Sequence, residues 1–183
     1  MTDLLPFLTS LISLRDPYAT GHSQHVTNLA SLLGQQVDLS SEQLRLLSFA
    51  ASIHDIGKIA INGFIINKPG RFTEAEYIMV QQHSLLGSRL IETLDLDPLI
   101  PKIILNHHEN FDGTGYPNGT KDEDIPLEAR IVRITDSYDA LTSNRGYRPA
   151  YTNHEAIRIM ERDQRFFDPF LLENFFKMER YKQ

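Results

Sequence analysis

Apolar residues recur along this chain with a period near 3.6 and almost nowhere with a period of two, which predicts helices and no sheet. The pattern first appears over Leu4–Leu14 and stops at Asp16-Pro17, a breaker. It resumes over about Gly21–Val37, with Val26, Leu29, Ala30, Leu33 and Val37 on one face. Ser40 with Gln43 is a capping-box pattern that opens a third helix, reaching about Asp55. That helix is apolar nearly all round (Leu44, Leu46, Leu47, Phe49, Ala50, Ile53) and belongs at the centre of the fold. Gly57, Gly63, Pro69 and Gly70 predict a long loop over 57–72. Thr73 with Glu76 opens a helix to about Leu94, and Asp97-Pro98 opens another to about His108. Glycines and prolines within Asp112–Gly119 make 109–126 a loop. Further helices follow at about 127–143, at 153–163 behind a Thr152/Glu155 box, and at 169–180 behind Asp168-Pro169. The expected architecture is all-α: one compact bundle of seven or eight helices over 1–183.

Composition narrows the function classes. The 183 residues are 41% hydrophobic and 23% charged, which suits a soluble globular domain rather than a disordered chain. Cysteine is absent, so any metal must sit on nitrogen and oxygen ligands. With 18 basic against 24 acidic residues the net charge is −6, which gives no global attraction for DNA, RNA or anionic membranes. Phosphate chemistry would therefore need a local positive centre. No run approaches the roughly 18 apolar residues of a membrane span, and Met1–Leu14 carries Asp3 and no basic start, unlike a secretory signal. A cytoplasmic protein is expected.

The seven histidines carry the chemistry. A lone histidine on an apolar helix face is more often a hydrogen-bonded core residue than a ligand. Here, however, His22, His54, His83 and His107 each lie on the inward stripe of a different helix, and each would need its own buried partner as mere filling. Asp55 follows His54 directly, and Asp136 lies on the Val132–Ala140 face of its helix. Neither carboxylate belongs in a core without a cation. With His108 they make seven candidate ligands: too many for one ion, and about right for two divalent ions sharing a bridging carboxylate. Imidazole and carboxylate without sulfur suit iron or manganese, or zinc, nickel or cobalt, better than calcium or magnesium. His25 and His154 fit no such stripe and read as surface or supporting residues.

The ordered motifs resemble a known family. His54-Asp55-Ile56-Gly57-Lys58, and His107-His108-Glu109 followed by Asp112-Gly113-Thr114-Gly115-Tyr116-Pro117, are similar to the two signatures of the HD-GYP cyclic dinucleotide phosphodiesterases. Arg15-Asp16-Pro17-Tyr18, Gly21-His22-Ser23, Asn67-Lys68-Pro69-Gly70, His83 with Gly87, Asp136 with Asp139-Ala140-Leu141-Thr142, and Phe167-Asp168-Pro169 extend the likeness over roughly 15–180. The resemblance implies an HD-type helical bundle with a central buried metal site. His22, His54, Asp55 and Asp136 would hold one ion, and His83, His107 and His108 the second, with Asp55 bridging. A hydroxide shared by the ions would open cyclic di-GMP to linear pGpG and on to GMP, with Asp55 and Lys58 as catalytic residues. Lys58, Arg145, Arg148 and Tyr116 would contact the substrate. The Gly115-Tyr116-Pro117 loop would meet a GGDEF-domain partner. Many family members carry a glutamate where this chain has Tyr18, and that glutamate completes a third metal site, so two ions are expected here. Gly146 stands where proline is usual. The alternatives are hydrolysis of another nucleotide, such as cyclic GMP-AMP or a phosphate monoester, a di-iron oxygenase, or a non-catalytic module binding nucleotide or a GGDEF domain.

Overall fold

The computed structural model describes residues 4–15, 19–144 and 149–180. Nine α-helices and three short 3-10 turns make up its regular structure, and no strand occurs among the described residues. The helices are α1 (Leu4–Arg15), α2 (Ala19–Gln36), α3 (Ser41–Ile53), α4 (Gly63–Ile66), α5 (Glu74–Glu92), α6 (Leu99–Asn106), α7 (Leu127–Thr142), α8 (Asn153–Arg162) and α9 (Pro169–Arg180). All three predicted capping boxes form. The Ser40, Thr73 and Thr152 side chains accept from the Gln43, Glu76 and Glu155 backbone N–H, and each third-position side chain returns the bond. Such caps satisfy amide groups that a helix start leaves without a partner. Asp97 caps α6 through Leu99 N (2.8 Å), with Pro98 just outside the helix rather than in its first turn.

The predicted loop 57–72 contains more order than its glycines imply. A 3-10 turn runs over Ile56–Ala60, and α4 follows with Asn62 capping Phe64 N. Five and four residues are too short for a hydrophobic period to register, so composition dominated the expectation. Two more 3-10 turns, Asp122–Asp124 and Gln164–Phe166, escaped for the same reason. The third helix stops at Ile53, leaving His54 as its C-cap.

As expected, α3 is the hub. Leu46, Leu47, Phe49, Ala50, Ala51 and Ile53 are buried, and α3 packs on α2, α6 and α1. On α2, Val26, Ala30 and Leu33 are fully buried. α5 packs on α6 and on the 56–60 turn, while α7 packs on α2, α6 and α9. Arg130 pairs with Asp168 at 2.5 Å, and Asp168 in turn caps α9 through Phe170 N and Leu171 N, which fixes α9 to α7. Among the described residues, no helix is long and apolar enough to cross a membrane.

Candidate active site

The residues that converge are helix-end and helix-face residues. His54 is the C-cap of α3 and His107 that of α6, so both rings leave their helices at the last turn, next to one another. His83 lies within α5, His22 near the start of α2, and Asp136 within α7. Three imidazoles are oriented in the same way. The Nδ1 atoms of His54, His83 and His107 each lie 2.7 Å from the carbonyl three residues earlier, on Ala51, Val80 and Ile104. Each Nδ1 therefore carries a proton and donates it, which turns each Nε2 inward.

That orientation creates a problem that protein atoms alone do not solve. His83 Nε2 and His107 Nε2 lie 3.2 Å apart. With both Nδ1 protons used on backbone, two lone pairs face each other, and a cation between them removes the repulsion. The donor set meets the same requirement. His83, His107 and His108 offer ligand atoms within 4.8 Å of one another, as do His22, His54 and Asp136, and also His54, Asp55 and His107. Asp55 faces both lobes. Its Oδ1 is 3.4 Å from His83 Nε2, while its Oδ2 is 3.5 Å from His54 Nε2 and 3.8 Å from His22 Nε2. Imidazole nitrogen and carboxylate oxygen in this arrangement fit divalent transition metals.

Electrostatics prepare the same groups. Burial alone would raise the Asp55 carboxyl, but Lys58, His54, His83 and His22 outweigh it and hold Asp55 well below the usual carboxylate range. Asp136 is also buried, yet its hydrogen bond to His22 and the nearby imidazoles hold it well below as well. Burial first, then neighbouring imidazoles or Lys58, push His83, His107 and His108 down. Ionised carboxylates and neutral imidazoles are the forms that bind a metal. His22 is the exception. Burial works against its charge, but Asp136 and Asp139 outweigh it and raise its pKa to about 10. Its Nε2 proton, facing Asp136 at 3.3 Å, is the one a cation would replace.

Asp139 was not among the candidate site residues. Its Oδ2 accepts from His22 Nδ1 at 2.6 Å, and its Oδ1 lies 3.2 Å from His25 Nδ1. It orients His22 as the backbone carbonyls orient the other rings. The signal was present in the sequence: Asp139 follows Asp136 by three residues, so both share one face of α7. This also places His25, 66% exposed, as a support behind Asp139.

Close backbone contact holds the two lobes together. A Cβ on Gly57 would stand 1.9 Å from the His83 carbonyl oxygen and 2.5 Å from Gly87 N. Only glycine lets the turn that follows Asp55 lie directly on the His83 turn of α5. Lys58, on that turn, places Nζ 2.7 Å from Asp55 Oδ2.

Tyr116 faces the cluster. Its ring stacks on His108, with centroids 4.7 Å apart, and meets His83 edge-on at 6.4 Å. Burial raises its phenol above the ordinary value, so it stays a neutral donor. Gly115 permits this, since a Cβ there would fall 2.2 Å from Asn110 N and 2.5 Å from His108 O. Pro117 follows through a cis peptide bond. Of the other expected site residues, Arg145 and Arg148 lie outside the described residues, as does Tyr18, on which the two-ion expectation turned.

Comparison with known proteins identifies the family and the fold. The family model of the HD domain matches residues 6–171. The chain is 38% identical over 173 residues to the cyclic di-GMP phosphodiesterase response regulator RpfG of Xanthomonas campestris pv. campestris (strain 8004), covering 91% of this chain and 45% of that protein. It is 36% identical over 151 residues to 3'3'-cGAMP-specific phosphodiesterase 3 of Vibrio cholerae serotype O1, covering 82% and 33% respectively. The chain thus spans less than half the length of these relatives. Among solved structures, Bd1817, a HDG"Y"P protein from Bdellovibrio bacteriovorus, superposes with a TM-score of 0.71 at 21% identity, over 88% of this chain and 52% of that one. With the family model covering most of its length and the His54-Asp55 pair inside that match, this chain belongs to the HD domain family.

Proposed function

We propose that this chain hydrolyses a phosphodiester bond of a cyclic dinucleotide, cyclic di-GMP first, giving linear pGpG. The observation that carries the reading is the two-lobed cluster with Asp55 facing both lobes and Lys58 at its edge. The names and identities of the relatives supply the substrate class. Two divalent ions are part of the proposal. His22, His54, Asp55 and Asp136 would hold one, His83, His107, His108 and Asp55 the other, with iron or manganese the best fits to the donors. When bound, such ions would neutralise phosphate charge and lower the pKa of a bound water toward about 7.

The protein's own groups do the rest. Asp55, anionic and buried, faces both lobes and would be shared by the two ions. Lys58 is 22% exposed and ends at the cluster, where its ammonium can meet a phosphate oxygen or give a proton to the departing ribose oxygen. Hydrolysis adds water across one P–O bond: the oxygen goes to phosphorus and one proton goes to the ribose 3' oxygen. Tyr116, neutral and stacked on His108, offers an aromatic face and a hydroxyl at the far end of the cluster. This favours a substrate-facing Tyr116 over a GGDEF-facing one. Cyclic GMP-AMP is the second reading, favoured by the cGAMP-specific relative. The test is a substrate panel with Mn²⁺- or Fe²⁺-loaded protein: cyclic di-GMP, 3'3'-cyclic GMP-AMP and bis(p-nitrophenyl) phosphate, compared by kcat/KM. Highest kcat/KM on cyclic di-GMP supports the proposal. Cyclic GMP-AMP preferred by tenfold or more (about 1.4 kcal/mol) selects the second reading, and no turnover of either dinucleotide refutes both.

A further inference from the structure

Arg133 lies on α7, one turn before Asp136, and its half-buried guanidinium is packed between Asn110, Ser137 and Phe167. Nε and one Nη donate to Asn110 Oδ1 at 3.0 and 2.8 Å, and the other Nη donates to Ser137 Oγ. The guanidinium also lies 5.3 Å from the centroid of the Phe167 ring. All of these partners are neutral. Among the described residues no carboxylate pairs with Arg133, whereas Arg130 on the same helix is paired with Asp168. A guanidinium stays charged at any working pH, and even partial burial without a counter-charge is unfavourable. Burial pulls Arg133 down from its ordinary value, and Asp136 leads the groups that oppose this, followed by Tyr116 and Tyr77.

Asp136 also faces His22 and His108. A cation held there would share its charge and leave Arg133 under-compensated. The three bonds above use three of the five guanidinium N–H groups, leaving one on each Nη. Arg133 also acts electrostatically on His108 and Tyr116, whereas Lys58 is bound to Asp55. The two cationic side chains therefore meet different groups of the cluster. A cyclic dinucleotide has two phosphodiesters, and only one can be at the reacting position.

We propose that Arg133 binds the second, non-reacting phosphate of the cyclic dinucleotide. This rests on the phosphodiesterase reading above. A guanidinium recognises phosphate by charge and by paired N–H donors, and that phosphate supplies the counter-charge that Arg133 lacks.

The experiment uses the metal-loaded protein and two substrates: cyclic di-GMP, with two phosphates, and bis(p-nitrophenyl) phosphate, with only the reacting one. Arg133→Gln raises KM for cyclic di-GMP by roughly ten- to a hundredfold, the loss of one charged hydrogen bond, with kcat within about threefold. KM for bis(p-nitrophenyl) phosphate and the metal content stay unchanged. Arg133→Lys keeps the charge without the fork, gives a smaller rise, and stands in if the Gln variant fails to fold. Equal losses on both substrates would mean that Arg133 only positions Asn110 and the loop behind it, which overturns the proposal. So would unchanged KM for cyclic di-GMP in a folded Gln or Lys variant. If wild-type protein cleaves bis(p-nitrophenyl) phosphate but neither cyclic dinucleotide, the substrate reading fails and this assignment falls with it.

Discussion

Gly57→Ala isolates the contact that sets the spacing of the two lobes. The added Cβ would stand 1.9 Å from His83 O, whereas real Cβ contacts essentially never fall below 3.0 Å. The 56–60 turn and α5 must therefore separate by at least about 1.1 Å, and the opposing atoms are backbone, which cannot swing aside as a side chain would. Taken up along the line from His83 to Asp55, that shift lengthens their 3.4 Å separation to about 4.5 Å. Overpacking of this kind costs about 1–3 kcal/mol, and a chain of this length loses roughly 2–4 °C of Tm per kcal/mol. The specific expectation is that the His83–His107–His108 lobe loses its ion. Bound Mn²⁺ falls by about one equivalent per chain while the helical circular dichroism is retained. Gly87→Ala is the graded control, because its Cβ meets Gly57 N and Ile104 Cγ2 at 3.1 Å and needs only a few tenths of an ångström. Metal content by elemental analysis and Tm of the metal-free protein are the two readouts. A Gly57→Ala protein with full metal content and a Tm within one degree of wild type would refute the reasoning.

Three other outcomes follow from the geometry. Asp139→Asn removes the carboxylate that orients His22 at 2.6 Å, so metal affinity falls roughly 10- to 100-fold, while His25→Ala, at an exposed ring, changes it far less; metal titration separates the two. Lys58→Ala lowers kcat by roughly a hundredfold or more with metal content intact, as single-turnover assays of loaded protein would show. In metal-free protein, His22 has its pKa raised from 6.5 to about 10. Its stabilising contribution is therefore full below about 6.5 and is lost as pH rises toward 10. Thermal melts between those limits show a decline that His22→Asn abolishes, and an equal decline in that variant would contradict the assignment.

Much of the site was legible because its ligands obey helical periodicity. His22, His83 and Asp136 sit on inward stripes, and the three capping boxes locate the starts of α3, α5 and α8. What stayed hidden depends on packing between elements distant in sequence. The Gly57 contact pairs a short turn with the middle of α5, and nothing local announces it. Arg133 carries no local signal, because its surroundings are supplied by Asn110 and Phe167 from other segments. Gly57 predicts loop by composition, whereas in the fold it serves close contact with α5.

Hydrolysis at phosphorus is tested most directly by running the reaction in ¹⁸O-water. Metal-loaded wild-type protein and cyclic di-GMP are incubated, and the linear product is weighed by mass spectrometry. The account predicts pGpG carrying one ¹⁸O on its new terminal phosphate, formed only with Mn²⁺ or Fe²⁺ present and absent with Asp55→Asn. Cyclic di-GMP recovered intact from protein with a full complement of metal would contradict it.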